Sequence, residues 1–447
     1  MSRARDVAYG CVMAVSTEGA YANLLLPQLL AKHRLEGRDA GFTTELAYGA
    51  LRMRGLYDAI IAKASGRDPQ DLDPEVRVAL WLGVHQHLAM RVPPHAAVNE
   101  TVDQVRRERG QGAAKFANAV MRRVTERDHA GWVAVVAPGD SRAARALRHS
   151  HPEWVANAIE EALGAEGRAG EAEGLLEADN TPARVTLVAR PGLVDREELV
   201  RQAHGEAGEY SPWAVVLPGG RPGDLPAVAD GAAAVQDEGS QIVAGALAAA
   251  RDIEPGERWL DLCAGPGGKA GLLGAIAAEG VAYLDALELH PHRADLVRDS
   301  TRAVPEGTVT VHTGDGTTWG ESEAYDRIVL DAPCSGLGAL RRRPESRWRR
   351  RPEDLDELVP LQKRLLANAE RLLAPGGLLA YITCSPVLAE TREVVAGTTL
   401  TVLDARDAVA AVTGTVPQAW GAGPFVQLWP HVHGTDAMFL ALLEKPA

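Results

Sequence analysis

Residues 258–288 read RWLDLCAGPGGKAGLLGAIAAEGVAYLDALE, and this stretch determines the fold class of the C-terminal half. Its first apolar run has the length of a buried strand, and the glycine-rich turn CAGPGGK over 263–269 separates that run from a segment typical of a helix. A second strand-like run ends at Glu288. Strand, turn, helix and strand in this order predict one unit of a parallel sheet that is covered by helices.

The same alternation continues towards the C-terminus. Three further strand-like runs follow: TVTVH (308–312), DRIVLDAP (326–333) and LLAYITC (378–384). We therefore predict an α/β Rossmann-like domain over 235–447. Ligands of such sheets bind at the carboxyl ends of the strands, so the residues at these ends are the candidates for chemistry.

The rest of the chain predicts two further domains, so we expect a multidomain protein. Apolar residues with helical spacing recur over about the first 125 residues, between short polar or Pro/Gly breaks, and predict an all-α domain over 1–127. Over 128–234 a helix-like segment precedes the strand-like runs ARVTLVAR and AVVLPGG. This order predicts a small α+β linker domain.

Composition narrows the classes of function. The chain has four cysteines: Cys11, Cys263, Cys334 and Cys384. They are too few and too widely spaced for a disulfide framework, and none forms a Cys-x-x-Cys pair, so we expect a reducing cytoplasm. No apolar run approaches the length of a membrane span, so we expect no membrane partner. His431 and His433 lack a cluster of further ligands, and we expect no metal.

The distribution of charge bears on a nucleic-acid partner. A net charge of −13 argues against one, because phosphate contacts need Lys and Arg. Nevertheless, the arginine segment, residues 341–351 (RRRPESRWRRR), holds seven arginines in eleven positions. We predict that this segment contacts RNA phosphates. The alternative is a solvated loop whose arginines pair with Glu345, Glu353 and Asp354.

The turn over 263–269 is a candidate cofactor site. Its glycines let the backbone approach a ligand closely, and the helix that follows offers free N–H groups. Glu288 has the spacing of an acid that accepts hydrogen bonds from ribose hydroxyls. These features predict an adenosine-containing cofactor without choosing between S-adenosylmethionine and NAD, although the turn is not the G-x-G-x-x-G of dinucleotide-binding proteins.

A further acid follows the third strand. Asp315 lies between two glycines, where it could accept a hydrogen bond from an adenine amino group. Asp and Gly are also ordinary turn residues, so turn chemistry alone could explain it. Its position after the two preceding strand-end features favours a cofactor contact.

Two cysteines follow the fourth and fifth strands. DAPCSG (331–336) carries Cys334, and TCS (383–385) carries Cys384. A small buried hydrophobe would suit a strand interior better than these ends. Carbon 5 of cytosine is too weak a nucleophile to take a methyl group unaided, and a thiolate that adds to carbon 6 activates it. A nearby acid such as Asp331 can stabilise the adduct at nitrogen 3. One cysteine would attack, and the other would assist proton removal or release.

The motifs CAGPGGK, DAPCSG and YITCS, in this order, resemble the RNA cytosine-5 methyltransferases. The N-terminal region resembles the antitermination factor NusB in Asp39, Phe42, VPPHAAVNETVDQV (92–105) and FANAVMRRV (116–124). The two together are similar to the RsmB (Sun/Fmu) family, which modifies small-subunit ribosomal RNA. The resemblance covers nearly the whole chain and implies S-adenosylmethionine as cofactor and 16S rRNA as partner.

The resemblance also implies residue roles. Cys384 is the implied nucleophile, Cys334 the helper in release, and Asp331 a third catalytic residue. The implied cofactor contacts are Cys263, Ala264, Gly265, Pro266, Gly267, Gly268, Lys269, Glu288, Arg293, Asp315 and Asp331. The sequence departs from the family at Ala437 and Met438, where a Gly-Phe-Phe-like run is usual, and we expect local repacking there.

Several alternatives compete with this interpretation. An amino-group methyltransferase shares the acid-Pro motif but needs no thiol. A NAD-dependent oxidoreductase shares the glycine-rich turn and Glu288 but gives no reason for paired cysteines. A noncatalytic RNA-binding or antitermination-type protein explains the NusB-like region alone. A tRNA substrate and the oligomeric state stay open.

Overall fold

The computed structural model describes residues 3–447. Its helices are α1 (Arg3–Thr17), α2 (Ala22–Lys32), α3 (Gly37–Arg52), α4 (Arg54–Ser65), α5 (Pro74–Leu88), α6 (Pro94–Val124), α7 (His129–Val136), α8 (Arg142–Arg148), α9 (Glu153–Gly164), α10 (Ala172–Ala178), α11 (Arg196–Ala203), α12 (Pro226–Ala229), α13 (Glu238–Ala249), α14 (Gly268–Glu279), α15 (Pro291–Thr301), α16 (Ser346–Arg349), α17 (Leu355–Leu372), α18 (Arg392–Val395), α19 (Ala405–Thr413) and α20 (Pro430–His433). Its strands are β1 (Thr186–Ala189), β2 (Glu206–Ala207), β3 (Ala214–Val216), β4 (Ala233–Val235), β5 (Arg258–Asp261), β6 (Tyr283–Glu288), β7 (Val309–Thr313), β8 (Tyr325–Asp331), β9 (Leu373–Thr383), β10 (Thr401–Leu403), β11 (Val426–Gln427) and β12 (Phe439–Glu444).

The chain divides into two compact units. The helical unit consists of the described residues up to Asn157 together with Ala172–Thr181 and Leu340–Arg350. The sheet unit consists of Ala158–Glu171, Pro182–Ala339 and Arg351–Ala447. Segments distant in sequence therefore contribute to each unit.

All regular elements of the helical unit are helices, which confirms the predicted all-α N-terminal fold. Val7, Cys11 and Val15 of α1 are buried, as their helical spacing predicts. Helices α5 and α6 both begin at a proline, whose fixed φ suits the first turn of a helix. The core of the unit includes Trp81 and Tyr57, both fully buried.

The arginine segment departs from its prediction, because most of it belongs to the helical unit. The Arg347 side chain is fully buried. Its guanidinium donates to the Ser150 carbonyl at 3.2 Å, to the Asp179 carbonyl at 3.1 Å and to Asn180 Oδ1 at 2.8 Å. A guanidinium held in this way cannot reach a phosphate, so the prediction of a continuous RNA-facing stripe is wrong at Arg347.

The neighbours of Arg347 show the same pattern. Arg349 donates to the carbonyl oxygens of Val15 and Ala20. The buried Glu345 accepts from the Ala22 backbone N–H at 3.2 Å. A solvated loop is therefore also excluded for these residues. Arg343 and Arg351 remain exposed.

The main sheet of the sheet unit has the strand order β10-β12-β9-β8-β5-β6-β7, with β11 paired to β12. The five strands predicted from the sequence, β5 to β9, pair in parallel. Strands β10 and β12 extend the sheet in antiparallel orientation. The Rossmann-like fold is confirmed, with an antiparallel edge that completes a mixed sheet.

The sheet is covered on both faces. Val329 of β8 packs in one core with α13, α14 and α19, whereas Ile328 and Leu330 pack in the other with α17. Successive residues of a strand point to opposite faces, so this alternation follows from the strand geometry. A separate four-stranded antiparallel sheet, β2-β3-β1-β4, lies within 186–235. Among residues 3–447, no helix is both long and apolar enough to cross a membrane.

Candidate active site

The carboxyl ends of the parallel strands place the predicted residues along one edge of the sheet. Strands β5, β6 and β8 end at Asp261, Glu288 and Asp331. Strand β9 ends at Thr383, directly before Cys384. The loops that follow these strands form the candidate active site.

The glycine-rich turn is hydrogen-bonded to residues at and after the end of β6. The Gly265 N–H donates to Glu288 Oε2 at 3.1 Å, and Arg293 Nη2 donates to the Gly265 carbonyl at 2.6 Å. The His290 N–H donates to Glu288 Oε1 at 3.0 Å. A Cβ on Gly265 would lie 2.1 Å from Glu288 Oε2, so only glycine fits at this position. Glu288 and Arg293, five positions apart in the sequence, thus both bind the glycine-rich turn.

The end of the turn begins helix α14. Gly267 has a φ of +106° and directly precedes the first residue of the helix, Gly268. A Cβ on Gly267 would lie 2.6 Å from Ser300 Cβ. Side chains of β6 and α15 thus occupy the space beside Gly265 and Gly267, and the glycines let the turn pack closely against them.

Lys269 points from α14 to the end of β8. Its Nζ donates to Asp331 Oδ2 at 2.8 Å. Burial opposes a charge on Lys269, yet the Asp331 carboxylate and the Cys384 sulfur hold the pKa of Lys269 above its usual value. The ammonium group is therefore retained close to both the acid and the sulfur.

Asp261 is a buried acid that the sequence analysis did not single out. It is 1% exposed, and neither carboxylate oxygen has a hydrogen-bonded side-chain partner. Burial, followed by the charge of Asp331, raises the pKa of Asp261 to about 7. Burial and the charge of Asp261 in turn raise the pKa of Cys263 well above its usual value, so Cys263 remains a thiol. An acid at the last position of a buried strand is the sequence feature that could have identified Asp261.

Asp315 is exposed in the turn after β7. Its Oδ1 accepts from the Thr317 backbone N–H and from Thr317 Oγ1, each at 2.8 Å. These hydrogen bonds lower the pKa of Asp315, so the carboxylate stays ionised. Asp315 thus stabilises its own turn, and it also places a negative charge at the edge of the sheet where the parallel strands end.

The two strand-end cysteines meet. Cys334 Sγ and Cys384 Sγ lie 3.5 Å apart. Strands β8 and β9 are parallel neighbours in which Asp331 pairs with Ile382, so the two loops leave the sheet side by side. The hydrogen bond to Cys384, then burial and the charge of Cys384, raise the pKa of Cys334 well above its usual value. The raised pKa favours the thiol form of Cys334.

The histidines near the C-terminus have other partners. His431 Nε2 lies 2.9 Å from Glu171 Oε2, and His433 Nδ1 accepts from the Trp429 N–H at 2.8 Å. Burial lowers the pKa of His433 to about 4. Within residues 3–447, no group of three or more His, Cys, Asp or Glu side chains is arranged to hold a metal ion.

Comparisons with known proteins match both halves of the chain. Residues 248–444 match the family model of the 16S rRNA methyltransferases RsmB/F, and residues 2–126 match the NusB family. The ribosomal RNA small subunit methyltransferase B of Pseudomonas putida is 31% identical over 99% of this chain and 98% of its own length. The chain belongs to the RsmB/F family. Its methyl donor is S-adenosylmethionine, and it is an RNA methyltransferase.

Two further proteins are similar to this chain over nearly its whole length. A Mycobacterium tuberculosis protein named as a methyltransferase is 48% identical over 99% of this chain and 96% of its own length. The crystal structure of PH0851 superposes on the RsmB/F chain with a TM-score of 0.79 at 22% identity, covering 100% of this chain and 99% of that one. The latter likeness concerns the fold.

Proposed function

We propose that this RsmB/F enzyme methylates carbon 5 of a cytosine in small-subunit ribosomal RNA through a covalent adduct with Cys384. The observation that carries the proposal is the 3.5 Å separation of the Cys334 and Cys384 sulfurs at adjacent strand ends. Methylation of an amino group or a ribose hydroxyl has no use for two thiols, whereas cytosine C5 chemistry needs a nucleophile and a group that assists release.

The cofactor contacts proposed here are those of the glycine-rich turn with Glu288, Arg293 and Asp315. The turn is accessible at Gly265, Pro266 and Gly268, where a ligand can approach the backbone of the glycines. The Glu288 carboxylate is the acceptor type that ribose hydroxyls need, and Asp315 offers an anion to an adenine amino group. Bound S-adenosylmethionine supplies an electrophilic methyl group.

The attack begins at Cys384. Its thiolate adds to carbon 6, and the ring electrons that this addition displaces make carbon 5 nucleophilic. The Lys269 ammonium, held near Cys384 by its bond to Asp331, stabilises the thiolate. The Asp331 side chain, 32% exposed, is positioned to hydrogen-bond the ring at nitrogen 3.

Release follows methyl transfer and requires loss of the proton on carbon 5. Once Cys384 is bonded to carbon 6, both its hydrogen bond, the largest cause of the raised pKa of Cys334, and its charge are lost, while burial of Cys334 remains. Cys334 can then lose its proton to solvent and take the proton from carbon 5. The electrons of the C5–H bond restore the ring double bond, the C6–S bond breaks, and Cys384 leaves as a thiolate.

Small-subunit ribosomal RNA is the proposed substrate because full-length relatives carry that name. We also propose that the NusB-like part of the helical unit docks this RNA. The target cytosine must be unpaired or extruded from a helix to reach the two thiols, since carbon 6 is inaccessible inside a stacked duplex.

Bisulfite mapping of 16S rRNA from cells with and without this gene tests the proposal. We expect one protected cytosine to lose its protection in the deletion strain and to regain it with the wild-type gene, but not with a Cys384→Ser gene. Unchanged 16S rRNA, with a lost mark in tRNA, would contradict the proposed substrate. Methylation in vitro of an amino group or ribose hydroxyl would contradict the proposed chemistry.

A further inference from the structure

A buried carboxylate lies beside the two cysteine loops. Glu390 is fully buried. Its Oε1 accepts from the Ser335 backbone N–H at 2.7 Å and from Gln362 Nε2 at 3.1 Å. Its Oε2 accepts from Ser335 Oγ and, at 2.6 Å, from Ser385 Oγ. Ser335 directly follows Cys334, and Ser385 directly follows Cys384, so one carboxylate is bonded to the chain neighbours of both thiols.

Further hydrogen bonds surround this carboxylate. Ser335 Oγ and Ser385 Oγ lie 3.0 Å apart. Gln362 Nε2 also donates to the Pro333 carbonyl at 2.8 Å, and the Tyr381 hydroxyl donates to the Glu390 carbonyl at 2.7 Å. Strand β9, helix α17 and both cysteine loops therefore share one hydrogen-bonded cluster. Ser335, Ser385 and Gln362 are each no more than 2% exposed.

Burial of the Glu390 carboxylate costs free energy, which indicates a role beyond packing. A buried carboxylate is expensive unless it is well hydrogen-bonded, and here the four donors are neutral. Bonds to a charged acceptor are shorter and stronger than bonds between neutral groups. Beyond the ends of β8 and β9, the Ala332 N–H donates to the Ile382 carbonyl and the Gly338 N–H to the Cys384 carbonyl, each at 2.9 Å. The carboxylate adds side-chain and backbone hydrogen bonds at the two positions next to the sulfurs.

We propose that Glu390 is a positioning residue that fixes the distance between the two cysteine sulfurs, an inference that rests on the function proposed above. Glu390 is hydrogen-bonded to Ser335 and Ser385, the chain neighbours of the thiols, and is not itself hydrogen-bonded to either sulfur. Its charge also contributes to the raised pKa of Cys334, after the hydrogen bond to Cys384 and burial. Loss of its carboxylate removes the acceptor that Ser335 and Ser385 share, and a displacement of about 1 Å at reacting atoms can slow a reaction by about 100-fold.

Two substitutions of Glu390 test whether its hydrogen bonds fix the positions of the two cysteine loops. Glu390→Ala removes all four acceptor interactions, including the one that the buried Ser335 N–H makes with the carboxylate. Glu390→Gln keeps the shape of the side chain: its carbonyl can retain the Ser335 N–H, and its amide can donate to the serine hydroxyls, which rotate to accept. We expect kcat to fall by about 100-fold in Glu390→Ala and to stay within about fivefold of wild type in Glu390→Gln. The KM for RNA and the affinity for S-adenosylhomocysteine should change by less than about twofold in both.

A matched control is available in the same unit. Glu257 is also a buried carboxylate, which accepts from Arg327 Nε and Trp259 Nε1, each at 2.7 Å. Glu257→Gln should lower stability without lowering kcat. Should Glu390→Ala fail to fold, the double variant Ser335→Ala/Ser385→Ala removes the two hydroxyl donors with little loss of volume, and we expect kcat to fall by about tenfold.

The outcomes distinguish this inference from the function on which it rests. Wild-type kcat in folded Glu390→Ala, or an equal loss of kcat in Glu257→Gln, overturns the positioning role and leaves the function standing. A wild-type enzyme that places no methyl group on cytosine overturns the function.

In that case the positioning role of Glu390 can still be tested without RNA, from the rates at which iodoacetamide alkylates Cys334 and Cys384. Rates that change in Glu390→Ala and not in Glu257→Gln support the positioning role, and equal rates in all three proteins overturn it.

Discussion

The carboxyl group of Asp261 has neighbours that oppose its ionisation. It is buried, and the like charge of Asp331 adds to the effect of burial, while Lys269 acts in the opposite direction. Its pKa of about 7 in the folded chain compares with an ordinary value of 3.8. Between these two values the unfolded chain ionises this group while the folded chain keeps it protonated. Stability therefore falls as the pH rises through this window.

Asp261→Asn should remove this dependence on pH. We expect the variant to have nearly the melting temperature of wild type at about pH 4.5 and a higher one at about pH 8, because only the wild type then carries a buried charge. The full pKa shift of Asp261 corresponds to about 4 kcal/mol, which is an upper bound for the gain in the free energy of unfolding. Thermal unfolding across this range measures it. A difference between the two proteins that does not change with pH would show that Asp261 is ionised throughout.

The residues at the strand ends could be predicted from sequence because their chemistry is local. Acids and cysteines that follow apolar runs mark the edge of a parallel sheet, and this feature alone located Glu288, Asp331, Cys334 and Cys384. Glu390 follows no such run. Its importance arises from partners brought together by the fold, such as Ser335, and its burial could not be read from the sequence around it.

The arginine segment shows that the composition of a segment does not determine the surroundings of its side chains. Seven arginines in a row of eleven residues indicate a cationic surface when counted, yet Arg347 is a buried donor to backbone and side-chain oxygens of the helical unit. Planar guanidinium groups suit this role, since they satisfy several carbonyl oxygens at once. Sequence alone gives the charge of a segment and not the carbonyl groups that it will meet.

Arg347→Met is therefore expected to destabilise the protein more than it weakens RNA binding. Removal of the guanidinium leaves the Ser150 and Asp179 carbonyls without this donor in a buried site, and we expect a loss of about 3 kcal/mol in the free energy of unfolding. The exposed Arg343 supplies the matched control, because Arg343→Met should change stability by less than about 0.5 kcal/mol. Urea unfolding of both variants measures the difference. Equal stabilities, with a shallower salt dependence of RNA affinity in Arg347→Met, would restore the original interpretation.

For the whole molecule, the sequence predicts the fold class of each unit better than it predicts which segments of the chain belong to that unit. The period of the apolar residues distinguished helical from strand-forming regions, which is why the all-α and Rossmann-like folds were both predicted correctly. The same pattern does not say against which element a face packs. The inclusion of Leu340–Arg350 in the helical unit and the antiparallel addition of β12 to β9 both depend on such tertiary choices.

In the proposed mechanism, Cys384 forms the covalent bond to RNA and Cys334 assists release. The most direct measurement is a denaturing gel of wild type, Cys384→Ala and Cys334→Ala, each incubated with labelled RNA and S-adenosylmethionine. We expect a stable protein–RNA adduct with Cys334→Ala, because attack proceeds while release is slowed, and neither adduct nor methylation with Cys384→Ala. An adduct with Cys384→Ala and none with Cys334→Ala would reverse the two roles. Full methylation by both variants without any adduct would contradict the covalent mechanism.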